Sequence, residues 1–408
     1  MTVLDELIQE LCPDGVKYKA LGEICKLVTG ATPSKANAAY WENGTIPWMS
    51  SGEVNLKRVA ATEKKITQLG YEKNSTTIVP KHSVVIALAG QGKTRGKAAI
   101  TEIELCTNQS LCSMICNENL DYKFLYYILD GKYEELRAIS NGDGTRGGLS
   151  LKILAPYKIP VPPLPVQREI VRILDNFTEL TAELTAELTA RKQQYAYYRD
   201  KLLTPRTDYR HGKIIDMLKQ PITDGPHTTP ELMEDGIPFL SVEAVFDGKI
   251  HIEKRRGNIT PEFDAECCKK YKPQKHDIFM VKSGSTTGKV GYVDTDERFN
   301  IWSPLAAMRV NSENSSRYLF HLLQSKMVQQ QVVAKASHGS QPNLSMRALE
   351  QFDVVIPPLD IQLRLANVLD NFDALCTNLS SGLPAEIEAR QKQYEYYRDK
   401  LLTFTPAD

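Results

Sequence analysis

The sequence predicts an α+β protein built from two globular modules of one fold. Two long antiparallel helices join them as a coiled-coil spacer with pseudo-twofold symmetry. Three observations lead there. Residues 190–204 (ARKQQYAYYRDKLLT) and 389–403 (ARQKQYEYYRDKLLT) agree at twelve of fifteen positions. Upstream of each, VPPLPVQREIVRILDNF (161–177) parallels IPPLDIQLRLANVLDNF (356–372). The segments between these blocks match more weakly but in the same order: IPWMSSGEV with IPFLSVEAV, KHSVVIALAGQGKTRGKAAI with KHDIFMVKSGSTTGKVGYV, FLYYIL with YLFHLL, and GGLSLKIL with PNLSMRAL. An internal repeat of this kind outranks any local signal.

Each element has its own warrant. TVLDELIQEL places Leu4, Leu7, Ile8 and Leu11 on one helical face, and this short helix is expected to dock near the far end of the chain. The modules alternate short β-branched runs with Gly, Pro, Asn and Asp, which predicts a curved, mostly antiparallel sheet with one or two short helices. In the first long helix, Val166, Ile170, Ile173, Phe177, Leu180, Leu184, Leu188, Tyr195, Tyr198 and Leu202 recur at steps of three and four. That is the seam of a helix packed on another helix. The tandem TAEL unit (residues 178–190, TELTAELTAELTA) adds steps of four, a stutter in the seam. The second helix carries Ile361, Leu365, Val368, Phe372, Leu375, Leu379, Leu383, Ile387, Tyr394, Tyr397 and Leu401; Gly382 and Pro384 are expected to kink or interrupt it. Proline-rich entries suit helix starts. The expected boundaries are a first module at 1–160, a first spacer at 161–204, a second module at 205–355 and a second spacer at 356–408. Trp48 and its counterpart Phe239 read as core.

Bulk properties exclude little. At 408 residues, with a 42% hydrophobic and 25% charged composition, the chain has the profile of a soluble multidomain protein. Lys+Arg equals Asp+Glu, so total charge names no partner, although a basic face remains possible. The eight cysteines form no C-x-x-C pair and suggest neither a zinc site nor a disulfide framework. They read as reduced thiols of a cytoplasmic protein, and no apolar run is long enough to span a bilayer.

The two divergent modules, the twin YYRDKLL helices, the IP-PPL-Q entries and the TAEL tandem together resemble the specificity subunit of type I restriction-modification systems (HsdS), in particular the type IC group. The resemblance covers nearly the whole chain. The second spacer departs from it, having TNLSSGLPAEIEA in place of the tetrapeptide repeat. What the resemblance implies is a non-catalytic DNA-binding subunit whose two target-recognition domains each read half of a bipartite double-stranded target. It further implies two methyltransferase and two motor-nuclease partners, which handle S-adenosylmethionine and ATP, in defence against foreign DNA.

Candidate residues follow from loop chemistry. GKTRGK and GSTTGK have glycines that let backbone approach a phosphate, with Lys and Thr as donors. Three residues between the glycines, not four, rule out a Walker A loop. Lys93, Thr94, Arg95 and Lys97 would serve one half-site, and Ser285, Thr286, Thr287 and Lys289 the other. Arg95 is the favoured base reader, since a guanidinium spans guanine O6 and N7. A plain β-turn is the competing reading. Matching loops add Thr32, Ser34, Lys35, His227 and Thr228, and the segments before the spacers add Arg146, Gln341 and Asn343. EKRRGN (253–258) is a basic cluster suited to phosphate or to solvent. Tyr195, Tyr197, Tyr198 and Arg199, with Tyr394, Tyr396, Tyr397 and Arg398, are expected to hold a methyltransferase subunit, the off-seam Tyr197 and Tyr396 above all. No catalytic motif or metal-ligand spacing stands out. A phosphate-handling enzyme using the Gly-Lys loops and a coiled-coil adaptor without DNA are the alternatives, and neither accounts for divergent modules on near-identical helices.

Overall fold

A computed structural model describes residues 2–90, 94–140, 148–204, 208–337, 341–377 and 382–407. The chain divides into two compact units, one of residues Met1–Glu183 and Glu388–Asp408, the other of Leu184–Ile387.

The repeat in the sequence is a repeat in topology. The first unit has a five-stranded sheet in the order Cys25–Thr29, Leu111–Cys116, Val84–Ala87, Ala98–Thr101, Arg58–Val59. Beside it lies a three-stranded sheet, Lys64–Ile66, Ile46–Met49, Cys106–Thr107. The second unit repeats the plan with Thr223–Asp224, Leu305–Met308, Ile278–Val281, Val290–Tyr292, Lys249–Ile250, Val245–Phe246, and with Gly257–Ile259, Ile237–Leu240, Asn300–Ile301. Most pairings are antiparallel; parallel are Ile46–Met49 with Cys106–Thr107, its counterpart Ile237–Leu240 with Asn300–Ile301, and the pairs Arg58–Val59 with Ala98–Thr101 and Lys249–Ile250 with Val290–Tyr292. The apolar runs VVIA and IFMV are buried throughout, as expected of strands covered on both faces. Trp48 and Phe239 are both core, at 4% and 0% exposure.

Helix Leu164–Leu202 is continuous. Its residues up to Glu183 belong to the first unit and those from Leu184 to the second. The second spacer is two described helices, Leu359–Thr377 and Leu383–Leu401, with Pro384 in the first turn of the latter, where proline costs no hydrogen bond. In the second unit the two helices run antiparallel: Tyr198 stacks on Phe372 (centroids 5.8 Å), while Lys192 shares a cavity with Cys376. In the first unit Phe177 stacks on Tyr397 at 5.4 Å. The helical seam is wider than the three-four pattern suggested. Val171 and Leu174, outside that list, are buried against the module with Val166 and Ile170, whereas Leu180 is exposed.

Each PPL-x-x-Q glutamine fastens a helix to its module. Gln167 is fully buried; its Nε2 donates to the carbonyls of Asn119 and Pro162, and its Oε1 accepts from the Asp121 N–H. Gln362 does the same with Asn314 Oδ1, the Pro357 carbonyl and the Ser315 N–H. Asp121 and Ser315 in turn cap helices Tyr122–Gly131 and Ser316–Gln324. The LDNF aspartates complete the clamp. Asp175 receives Lys123 Nζ and the Tyr127 hydroxyl, and Asp370 receives Arg317 and His321 Nε2.

Helix Val3–Leu11 docks as expected: Leu4, Leu7 and Ile8 pack in the core that also holds Leu401, Leu402 and Phe404. Val16 pairs with Pro406, and the Tyr18 hydroxyl donates to the Phe404 carbonyl across 3.1 Å.

Candidate nucleic-acid interface

Within each unit, four loops meet at one short turn. In the first, this turn is Asn108–Gln109–Ser110. The Asn108 N–H donates to the Met49 carbonyl, the Ser110 carbonyl accepts from the Leu88 N–H, and the Thr32 hydroxyl bonds Gln109 Oε1. Leu149 N–H donates to the Leu88 carbonyl, which brings in the segment before the long helix. In the second unit the turn is Trp302–Ser303–Pro304. The Trp302 N–H donates to the Leu240 carbonyl, Ser303 N–H to Pro226, and Pro304 accepts from Lys282. Leu344 N–H donates to the Lys282 carbonyl. The loops before the turn also agree. A Cβ on Gly30 would sit 1.7 Å from the Thr107 carbonyl oxygen, and one on Gly225 1.8 Å from that of Ile301, so only glycine permits either approach.

The Gly-Lys loops are hairpin turns of one design. Gly96 N–H bonds the Ala87 carbonyl and Lys97 N–H the Thr94 carbonyl; Gly288 bonds Val281 and Lys289 bonds Thr286 in the same way. Gly96 and Gly288 hold φ of +86° and +94°. So the β-turn reading holds for the backbone, whatever the tips touch.

The predicted residues fall into distinct places. Ser34, Lys35, Ser285, His227, Thr228, Gln341 and Asn343 are exposed, and Thr32, Arg95, Lys97, Thr286 and Thr287 are half-buried. Thr94 is 8% exposed, with its hydroxyl on the Ala89 carbonyl, so it braces its own turn. Thr287 braces its turn similarly, donating to the carbonyls of Gly284 and Pro342. Lys97 Nζ lies 2.8 Å from Asn55 Oδ1. Lys289 is exposed and borders a cavity of about 490 Å³ whose other walls include Lys192, Arg199, Asp247 and Asp373. His227 lies 3.4 Å from the buried Asp224, which also binds Lys270 and Lys282. Asn343 pairs with Ser283 in an isolated bridge. Lys93 and Arg146 lie outside the described residues. Sequence reading missed Gln109 and Trp302, whose only sequence signal is that a polar and an aromatic residue stand in matched turns; Arg256 stands out in the sequence only as part of the basic cluster 253–258.

The type I restriction modification DNA specificity domain model matches residues 13–191 and again 226–389. The chain belongs to this family. A type I restriction enzyme specificity subunit of Escherichia coli is 29% identical over 99% of this chain and 97% of its own. A putative type I restriction enzyme specificity subunit of Haemophilus influenzae is 32% identical over 71% of this chain and 74% of its own. Among solved structures, a chain from a study of complex assembly in the type I restriction-modification system superposes with a TM-score of 0.63 at 15% identity, covering 96% of this chain and 98% of that one. The S subunit from M. genitalium gives 0.53 at 15% identity, covering 95% and 96%. The fold is thus that of specificity subunits.

The tyrosine block of the subunit has three roles at three positions. Tyr195 and Tyr394 are buried at 8% and 5% exposure, so they do not present a docking surface. Tyr195 bonds His321, and Tyr394 reaches Asp130 and packs near the Tyr127 ring. Tyr198 and Tyr397 stack on Phe372 and Phe177. Tyr197 and Tyr396 point outward, 60% and 62% exposed. Arg199 and Arg398 are mostly covered, each beside the aspartate that follows it. Among the described residues no helix is long and apolar enough to cross a membrane.

Proposed function

We propose that each module of this specificity subunit reads one half of a bipartite duplex target. The paired helices fix the separation of the two half-sites, and the outward tyrosine faces receive the methyltransferase subunits. The chain itself contributes no chemistry; S-adenosylmethionine and ATP belong to the methyltransferase and motor-nuclease partners, two of each. One observation carries this reading. The loop junctions of the two units share their backbone hydrogen bonds yet present Asn-Gln-Ser in one and Trp-Ser-Pro in the other. A fixed scaffold with exchanged tips is what direct readout of two different half-sites needs. Duplex DNA has twofold symmetry, which suits two heads of one fold. The test is to sequence methylated adenines in a genome carrying the complete system. Two defined half-sites at a constant gap are expected; methylation without a bipartite motif would end the proposal.

A further inference from the structure

Arg256 and Trp302 lie against each other on the second module. The Arg256 N–H donates to the Phe239 carbonyl at 3.0 Å, and the Trp302 N–H donates to the next carbonyl, Leu240, at 2.9 Å. Both residues therefore hang from one buried strand. The guanidinium carbon of Arg256 lies 4.1 Å from the centroid of the Trp302 ring. The indole Nε1 is buried with no acceptor among the described residues. Arg256 is exposed, and among the described residues no carboxylate pairs with it. Ser303, the next residue along, is bonded to Pro226 in the loop of residues 223–230, so the pair stands at the loop junction.

We infer that Arg256, held flat by Trp302, is a specificity-determining residue of the second module that reads a guanine. This rests on the proposed reading of DNA by that module. A guanidinium stacked on an aromatic face keeps its planar fork of donors free at the edge. That fork matches guanine O6 and N7 in the major groove. Stacking removes much of the side-chain freedom that binding would otherwise have to freeze. A lysine in the same place would keep the charge and lose the fork.

The test uses the complete methyltransferase complex with wild-type, Arg256→Lys, Arg256→Ala and Trp302→Leu subunits. Methylated sites are sequenced, and binding is measured on duplexes carrying each base pair at each position of the second half-site. Both arginine variants are expected to lose about 10- to 100-fold of discrimination at one G·C pair of that half-site, with the first half-site unchanged and Trp302→Leu giving a partial loss. An unchanged motif in the arginine variants would overturn the inference. So would uniform weakening that lysine restores, since that is a phosphate contact. A wild-type complex without sequence preference would instead remove the reading beneath it, which is a separable result.

Discussion

Tyr195 and His321 bond across 2.9 Å at a site with no solvent exposure of the imidazole, whose other nitrogen faces Asp370 at 2.7 Å. Burial, outweighing the pull of Asp370, holds this histidine below its ordinary pKa. The ring is therefore neutral, with Nε2–H donating to Asp370 and Nδ1 accepting from Tyr195. In the other unit Tyr127 occupies the matching place and donates to Asp175 at 2.6 Å.

The sign of the pH effect follows. The unfolded chain binds a proton on this ring near pH 6.5, and the folded chain resists it until lower pH. Stability from the neutral ring is complete above about pH 6.5 and is lost as pH falls through the lowered folded value. Thermal denaturation between pH 5 and 8 should show this slope, and His321→Tyr should flatten it. An identical slope in the variant would place the titrating group elsewhere.

Gln167 and Gln362 each satisfy three buried or half-buried groups with one amide. Gln167→Leu or Gln362→Leu leaves those groups without their partner. A loss of about 2–4 kcal/mol is expected in denaturant titration. A loss below about 1 kcal/mol would mean that water replaces the amide.

Deleting residues 181–184, one tetrapeptide unit, shortens the helix by about 6 Å and turns it by roughly 40°. A base pair rises about 3.4 Å. The gap between methylated half-sites should change by on the order of one base pair while both half-site sequences persist. An unchanged gap would exclude the helix as the ruler.

Tyr197 and Tyr396 touch solvent and carry none of the core. The double variant Tyr197→Ala/Tyr396→Ala should keep its melting temperature within a degree or so and lose methyltransferase subunits on co-purification. Exposed aromatic anchors of this kind contribute on the order of 2 kcal/mol each to an interface. Undiminished co-purification would move the docking surface elsewhere.

The duplicated helices and the shared module fold were legible because repetition and periodicity are properties of residue order. The glutamine of each entry was visible only as a letter; its three hydrogen bonds depend on Asn119, Pro162 and Asp121 arriving from elsewhere in the chain. Tyrosine roles were illegible for a related reason. Tyr195, Tyr197 and Tyr198 are adjacent and alike, and only the neighbours brought by folding make one a clamp, one a surface and one a stacking partner. The bracing contact of the Thr94 hydroxyl was likewise invisible, since a hydroxyl in a basic loop shows its carbonyl partner only once the loop is folded. Gln109 and Trp302 escaped, and the pairing of Arg256 with Trp302 with them, because each junction is made by backbone bonds between distant loops.

The first unit takes most of its last helix, Leu383–Leu401, and the segment after it from residues beyond the whole of the second. On the ribosome, then, the second unit has all its segments while the first still lacks Tyr394 and the Pro406 bridge to Val16. The module made first is completed by residues that follow the whole of the second, and until they emerge its core lacks Tyr394, Leu401 and Leu402.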